Sequence, residues 1–199
     1  MREQGDTIIE VLFAVMVFSL VAVGGLSIMN QGVAMAQRSL EIGLVRQQID
    51  EQADALRYLN QAYVAGYGKY GEATERWSRV IGESAVTRAQ DFDTMTSEDT
   101  CQLPSGGSQL FALDIMKLNA TNNAQKIIPT ADVATYAQVR RDTGGNARAE
   151  GIWIQAVRSP VQDNRPGSYD FHIRACWKTP GQATPVTLGT IVRLYEPRG

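Results

Sequence analysis

A single carboxylate stands near the start of a long apolar stretch, and it is the residue with the clearest chemical consequence. After Glu10 no charged residue occurs until Arg38, so the uncharged segment is long enough to cross a bilayer, which takes about 20 mostly apolar residues. An unpaired carboxylate in hydrocarbon costs about 2–3 kcal/mol or more, so an ionisable group there indicates a function. Glu10 is therefore the leading candidate functional residue.

Other patterns that could support chemistry are sparse. His172 is the one histidine, and no Ser-His-Asp elbow, H-E-x-x-H pair, phosphate-binding loop or Cys/His zinc spacing occurs. The run from Gly66 to Gly71 has G-x-G-x-x-G spacing but follows a helix instead of a strand, so it does not predict a dinucleotide site. The acidic stretch from Asp91 to Asp99 lacks EF-hand spacing and predicts a solvated loop. We therefore predict no enzyme, no catalytic residue, no metal and no cofactor.

The residues around Glu10 resemble the N-terminus of type IV pilins and pseudopilins. In that family a short polar leader ends in glycine, and a glutamate at the fifth mature position lies at the start of an apolar helix. Here the leader would be residues 1–5, cleaved between Gly5 and Asp6. The resemblance implies processing by a prepilin peptidase and a structural, pilin-like subunit. Asp6 stands where the family usually has phenylalanine, which leaves N-methylation of the first residue open.

The resemblance also implies an assembly role for Glu10. Cleavage would create an ammonium on Asp6, about 6 Å along the helix from Glu10. Each charge alone is costly in hydrocarbon, and pairing offsets that cost. A new subunit whose ammonium meets the Glu10 of a neighbour would be drawn into register in a growing filament. The implied partners are the peptidase, other pilin subunits, the membrane and the assembly platform of a pilus, secretion or DNA-uptake system.

Two other interpretations of the first segment exist. Ala34-Met35-Ala36 is an A-x-A site of the kind that ends a secretory signal, in which case the mature chain would begin at Gln37. An uncleaved anchor would begin at Met1. We favour the pilin-type leader over both. A secretory signal would have Glu10 inside its apolar region, a scarcely positive start and a long apolar run, and an uncleaved anchor leaves Glu10 unexplained. The pilin-type leader places the protein in the cytoplasmic membrane as a single-pass protein with an extracytoplasmic C-terminus, and later in a cell-surface or periplasmic filament.

One long helix must position Glu10. Residues 6–29 form the predicted membrane and assembly segment, and residues 30–66 form its amphipathic continuation. The continuation has an apolar stripe at helical spacing, consisting of Val33, Ala36, Leu40, Leu44, Ile49, Ala53, Leu56, Leu59 and Tyr63. The opposite face is polar and includes Glu41, Gln47 and Gln48. Gly24 and Gly25 weaken the helix by about 1 kcal/mol each. The resemblance implies local melting there during assembly, and close helix packing at small residues is the alternative.

Residues 67–199 are predicted to form an extracytoplasmic domain. A short helix is expected over 72–81, with Trp77, Val80 and Ile81 facing inward. Alternation and turn chemistry then predict an antiparallel meander, with strands at 110–115, 135–140, 152–158, 169–177 and 186–195. One face of this sheet would pack on the amphipathic half of the long helix. The predicted fold class is therefore α+β, a long N-terminal helix packed on an antiparallel sheet, which is the pilin-like architecture.

The two cysteines, Cys101 and Cys176, lie in the part predicted to be exported. A disulfide is the favoured interpretation there, and two unpaired buried thiols are the alternative. On the chain-entropy model, closing a loop of about 75 residues contributes roughly 4 kcal/mol.

The charge pattern leaves the ligand of the C-terminal domain open. The formal net charge is −2, which argues against a strongly basic nucleic-acid binder. Arginines outnumber carboxylates in the strand region, so surface charge, subunit complementarity in a filament and DNA binding through phosphates rank in that order. A minor pilin or pseudopilin is favoured over a major subunit. The alternative function is a membrane-anchored extracytoplasmic binding protein that never polymerises.

Overall fold

The computed structural model of this protein describes most of the chain. The described residues are 6–82, 85–86, 96–97, 100–101, 110–121, 127–128, 136–159 and 167–197. The chain divides into two compact units, Met1–Leu40 and Glu41–Gly199, which we call the N-terminal unit and the C-terminal unit.

The long predicted helix is present. Helix α1 occupies Asp6–Ala65, and no proline interrupts this range. It ends where Gly66 begins a turn, with the Gly66 N–H donating to the Ala62 carbonyl at 3.1 Å. Gly68 then adopts φ = 78°, a left-handed conformation that glycine takes without steric cost. Glycine therefore stops the helix where the sequence predicted it.

The short predicted helix is also present. Helix α2 occupies Glu72–Gly82, with Glu72 and Glu75 in its first turn and Arg79 in its last. These charges suit the helix dipole, since acidic groups are favoured near the N-terminus and basic groups near the C-terminus. Trp77 and Val80 are buried, and Ile81 packs partly buried against the same core, as their helical spacing predicts.

The strands are short at the start of the C-terminal unit and long at its end. Those within the described residues are β1 (Ala85–Val86), β2 (Thr96–Ser97), β3 (Thr100–Cys101), β4 (Ala112–Asp114), β5 (Asn119–Thr121), β6 (Ile127–Ile128), β7 (Gln138–Arg141), β8 (Ala147–Glu150), β9 (Ile152–Ser159), β10 (Ser168–Trp177) and β11 (Val186–Tyr195).

The main sheet has the order β1-β9-β10-β11. Its last three strands are antiparallel and consecutive, which confirms the predicted meander for this part of the chain. Strand β1 pairs with β9 in parallel, a pairing that the sequence did not predict. A second sheet has the order β6-β8-β7, with β6 parallel to β8, and two smaller sheets pair β2 with β3 and β4 with β5. The α+β class is therefore confirmed, although the sheet is not purely antiparallel.

The core of the C-terminal unit joins the second half of α1 to the main sheet. Leu56 and Leu59 of α1 are buried in one cluster with Trp77, Phe111 and Phe171. The ring of Phe171 lies 5.8 Å from that of Trp77 and 6.4 Å from that of Phe111, measured between centroids. Alternation along β10 sends Phe171 and its inward neighbours into this core, as its period of two predicts.

The predicted apolar stripe of α1 is buried only in part. Ile49, Ala53, Leu56 and Leu59 are buried. Val45 is buried in place of Leu44, which is exposed, so the stripe lies one position further along at that turn. Three earlier members of the stripe are exposed in the N-terminal unit: Val33, Ala36 and Leu40. The C-terminal unit, which supplies the packing partners, includes α1 only from Glu41 onward.

A disulfide joins Cys101 to Cys176, with their Cα atoms 5.7 Å apart and 75 positions between them in sequence. Both residues are buried in the core of the C-terminal unit. The predicted bond is therefore present, and the alternative of two free thiols is wrong. It ties β3 to the end of β10, which closes much of the C-terminal unit into one loop.

Candidate functional site

The first segment of α1 presents apolar side chains on every side. Its residues from Ile8 to Leu40 are all exposed, including phenylalanines, leucines, valines and methionines that are normally buried. By length and composition α1 can cross a membrane. The Ser19 hydroxyl donates to the Val15 carbonyl at 2.7 Å, so this polar group is satisfied within the helix. The surface of this segment is therefore suited to lipid or to other apolar helices.

Glu10 lies within this exposed apolar surface. It is exposed, and from Ile8 to Gln37 it is the one ionisable residue in the sequence. Asp6 begins α1, about one helical turn before Glu10. The predicted leader, with Gly5 at its end, lies outside the described residues. Leader cleavage and charge pairing between subunits therefore stay predictions.

Gly24 and Gly25 lie inside an uninterrupted part of α1. A Cβ added at either position would meet nothing within 4 Å, so no contact with the described part of the chain requires glycine there. The hypothesis of local melting stays a prediction, as does the alternative of close packing against another helix.

Within the described residues, the side chains of Gln52, Gln48, Asn60 and Glu41 attach the second segment of α1, residues 41–65, to the rest of the C-terminal unit. Gln52 is buried and bonds to Leu113 twice: its Nε2 donates to the carbonyl at 2.9 Å, and its Oε1 accepts from the N–H at 2.8 Å. Gln48 Oε1 accepts from the Val139 N–H at 3.1 Å. Asn60 Nδ2 donates to the Tyr195 carbonyl at 3.3 Å. These amides complete hydrogen bonds of strand backbones that the helix would otherwise leave unmade.

Glu41 makes the fourth attachment. Its Oε2 accepts from Trp177 Nε1 at 3.2 Å and from the Thr179 hydroxyl. The sequence placed Glu41 and Gln48 on the polar, outward face of the helix, and that placement is wrong for both. The signal available was a cluster of amides beside the apolar stripe, and Gln52 lies next to the buried Ala53.

A cleft of about 390 Å³ opens beside α1 and β7. It is lined by Gln48, Glu51, Asp114, Ile115, Met116, Val139, Arg140, Arg141 and Ala147. Its arginines have carboxylate partners in the chain, because Arg141 pairs with Asp114 at 2.6 Å and Arg140 with Glu150 at 2.7 Å. The cleft therefore combines polar and apolar walls with balanced charge.

Two ion pairs involve arginines of the main sheet. Arg193 Nε bonds Asp170 Oδ1 at 2.6 Å and its Nη2 bonds Oδ2 at 2.7 Å. This hydrogen bonding holds the pKa of Asp170 below its usual range. Arg158 lies 3.9 Å from Glu196. Among the basic residues that suggested DNA binding, Arg140, Arg141 and Arg158 have carboxylate partners, with which phosphates would compete.

His172, the one histidine of the chain, lies in the main sheet. It is half-buried on β10, and burial lowers its pKa, with the nearby Arg174 lowering it further. In the described part of the chain, no group of three or more His, Cys, Asp or Glu could hold a metal ion. The carboxylates of the acidic stretch from Asp91 to Asp99 lie outside the described residues.

Comparison with known proteins identifies no relative. No family model, no curated protein and no solved structure matches this chain. The function must therefore be inferred from the structure itself. The first segment of α1 is apolar and exposed and contains Glu10, and the second segment belongs to an α+β unit that a disulfide links.

Proposed function

We propose that this protein is a pilin-like structural subunit, a minor pilin or pseudopilin, that is held in the cytoplasmic membrane and then added to a filament. The observation that carries the proposal is the lone carboxylate: Glu10 is the one ionisable residue between Ile8 and Gln37. A charge that is costly in hydrocarbon is retained where it has a partner, and no such partner occurs in this segment itself.

The exposed apolar segment of α1 suits two successive environments, the lipid bilayer and then a bundle of similar helices. Its side chains are exposed throughout, so in water they would carry a large unfavourable hydration free energy. Lipid removes that cost before assembly, and neighbouring helices of the same kind remove it afterwards. Because lipid tails and apolar helices are similar solvents, transfer between them is close to neutral for the apolar side chains. The charge at Glu10 can then determine the register of this helix relative to the helices of neighbouring subunits.

The partner that we assign to Glu10 is the ammonium of Asp6 in a neighbouring subunit. Removal of residues 1–5 by a prepilin peptidase would create that ammonium. Two opposite charges in a medium of low dielectric attract strongly, which offsets their desolvation when the geometry is good. Any register that left either charge unpaired in this medium would be unfavourable, because the desolvation cost would not be offset.

The C-terminal unit is proposed to lie outside the cytoplasm. The Cys101–Cys176 disulfide supports this, because disulfides persist in oxidising compartments. The alternative function, an anchored binding protein that does not polymerise, is favoured by one observation, the 390 Å³ cleft beside α1 and β7. That alternative assigns no role to Glu10.

The test compares Glu10→Ala with Ser19→Ala in cells that assemble the proposed filament from the native protein. Both changes remove a polar group from the same apolar segment, but only the first removes a charge. We expect both variants to fractionate with the membrane, and we expect Glu10→Ala to be missing from sheared or purified filaments while Ser19→Ala is present. Incorporation of Glu10→Ala at the normal level would remove the role assigned to Glu10, whereas absence of the native protein itself from filaments would favour the anchored binding protein.

A further inference from the structure

The outer edge of β11 is open to another strand. Strand β11 is last in the main sheet, and all ten of its residues pair with β10 in one continuous register without a bulge. Within the described residues, no strand pairs with its other side. Natural proteins usually cover, bend or shorten such an edge, because its free N–H and C=O groups are a template for pairing.

Two hydrogen bonds determine which residues of β11 point their backbone groups outward. The Glu196 N–H donates to the Gly167 carbonyl at 2.8 Å, and hydrogen-bonded and non-hydrogen-bonded pairs alternate from there along an antiparallel ladder. The Tyr195 carbonyl should then face away from β10, and it does, since it accepts from Asn60 Nδ2 at 3.3 Å. By the same alternation, the outward-facing residues before it are Thr187, Gly189, Ile191 and Arg193.

The free edge is bounded at both ends. Pro185 comes just before the strand and has no N–H to donate. At the other end the Tyr195 carbonyl is already bonded to Asn60. The usable edge therefore runs from Thr187 to Arg193, and its midpoint is Thr190.

We propose that a second copy of this chain occupies this edge, with the two β11 strands antiparallel about a two-fold axis at Thr190. All four outward residues of each copy would pair, which gives about eight backbone hydrogen bonds. Thr187 would lie opposite the partner's Arg193, and Gly189 opposite the partner's Ile191. Such an isologous contact closes on itself and forms a dimer.

The side chains fit this register. Ile191 is 60% exposed, and opposite a glycine it meets no competing side chain. Arg193 is already paired with Asp170 of its own chain through two hydrogen bonds, so no unpaired charge enters the contact. No two like charges lie directly opposite each other, an arrangement that would be destabilising. A register centred on Arg193 would instead bring two arginines together.

The dimer goes beyond the proposed function, because it needs neither leader removal nor a filament. It can therefore be tested on the full chain purified in detergent. The probe is Thr190→Cys, because residue 190 lies opposite its own copy at a non-hydrogen-bonded position, where Cα atoms are about 4.5 Å apart and a disulfide can form. Both native cysteines are already bonded to each other, so they do not compete.

The matched control is Thr187→Cys, the same substitution on the same strand. In the proposed register two copies of residue 187 are about 20 Å apart, beyond the reach of a disulfide. We expect Thr190→Cys to shift from monomer to a reducible dimer on a non-reducing gel, and Thr187→Cys to stay monomeric. Absence of the Thr190→Cys dimer, or equal cross-linking of both variants, would overturn the proposal.

A second variant distinguishes dimerisation through the β11 edge from association through the apolar segment of α1. Ile191→Pro removes an outward N–H without removing a β10–β11 hydrogen bond, a position where an edge strand tolerates proline. Added to Thr190→Cys, it should abolish the cross-linked dimer, while Ile191→Val should retain it. Cross-linking that survives Ile191→Pro would show that the edge is not the contact.

Discussion

The two segments of α1 have the same backbone conformation and opposite surroundings. Leu26, in the N-terminal unit, is 58% exposed, whereas Leu56, in the C-terminal unit, has no exposed surface. The second segment also has the polar attachments of Glu41, Gln48, Gln52 and Asn60, whereas from Ile8 to Gln37 the first has Glu10 as its one ionisable residue. The same helix therefore presents an exposed apolar surface along its first segment and packs into the core of the C-terminal unit along its second.

The difference teaches that apolar content alone does not identify the residues that stabilise the fold of this chain. The first segment is the more apolar one, yet its residues are exposed. The second segment alternates apolar residues with amides and charges, and it is the one that packs. Buried amides require partners in fixed positions, so they indicate a docking surface more specifically than a run of leucines and valines does.

The largest expected effect comes from truncating a buried leucine in the second segment of α1. Leu56→Ala should lower the free energy of unfolding of the C-terminal unit by about 2–5 kcal/mol, because it removes buried methyl groups and leaves a cavity. The measurement is chemical denaturation of the full chain in detergent, followed by tryptophan fluorescence.

Leu26→Ala is the control for this prediction. Leu26 is exposed, so its truncation should change the unfolding of the C-terminal unit by no more than about 0.5 kcal/mol. Equal destabilisation by the two substitutions would contradict the separation of the helix into two segments.

A smaller effect is expected from the buried amide. Gln52→Leu leaves the Leu113 N–H and carbonyl without the partner that Gln52 gives them, and an unsatisfied buried group costs about 1–3 kcal/mol. Gln47→Leu is the matched control, since Gln47 is exposed and bonds to Glu51 on the same helix at 3.1 Å. The same denaturation experiment applies. If Gln52→Leu proved as stable as Gln47→Leu, the amide would not be an attachment.

The smallest effect concerns the pH dependence of the C-terminal unit. Hydrogen bonding to Arg193 lowers the pKa of Asp170, so the folded state binds this proton less tightly than the unfolded state. The pair therefore contributes its full stability above the unfolded pKa of about 3.9 and loses it as the pH falls through the folded value.

Asp170→Asn removes this contribution, so the variant should be less stable than the wild type near neutral pH and should converge with it in acid. Asp54→Asn, which alters an exposed pair with Arg57, is the control and should change little. The readout is the denaturation midpoint measured across acidic pH. A difference between Asp170→Asn and wild type that stayed constant with pH would contradict a lowered pKa of Asp170 in the folded state.

Local patterns predicted the elements of this fold well. The bounds of β11 match the predicted range of 186–195, and β10 differs by one residue from 169–177. Trp77 and Val80 lie inward on α2 because helical spacing is a local property of the sequence. Glycine ended α1 for the same reason.

Long-range pairing was not predictable in the same way. The parallel pairs of β1 with β9 and of β6 with β8 join segments that are distant in sequence, and periodicity carries no information about partners. Val45 is buried and Leu44 is exposed, which depends on how α1 packs on the sheet within the C-terminal unit. The hydrogen bonds of Gln52 to Leu113 could be predicted only by knowing that β4 lies beside this part of α1. Hydrophobic spacing thus predicted faces but not partners.

The assembly role that we propose for Glu10 depends on an amine created at Asp6 by leader cleavage. The most direct test is the mass and N-terminal sequence of the native protein recovered from its own cells. We predict a chain that begins at Asp6 and lacks residues 1–5, and we predict that Gly5→Val accumulates with those residues still attached. A native chain that begins at Met1 or at Gln37 would contradict the account, because no amine would then lie one helical turn from Glu10.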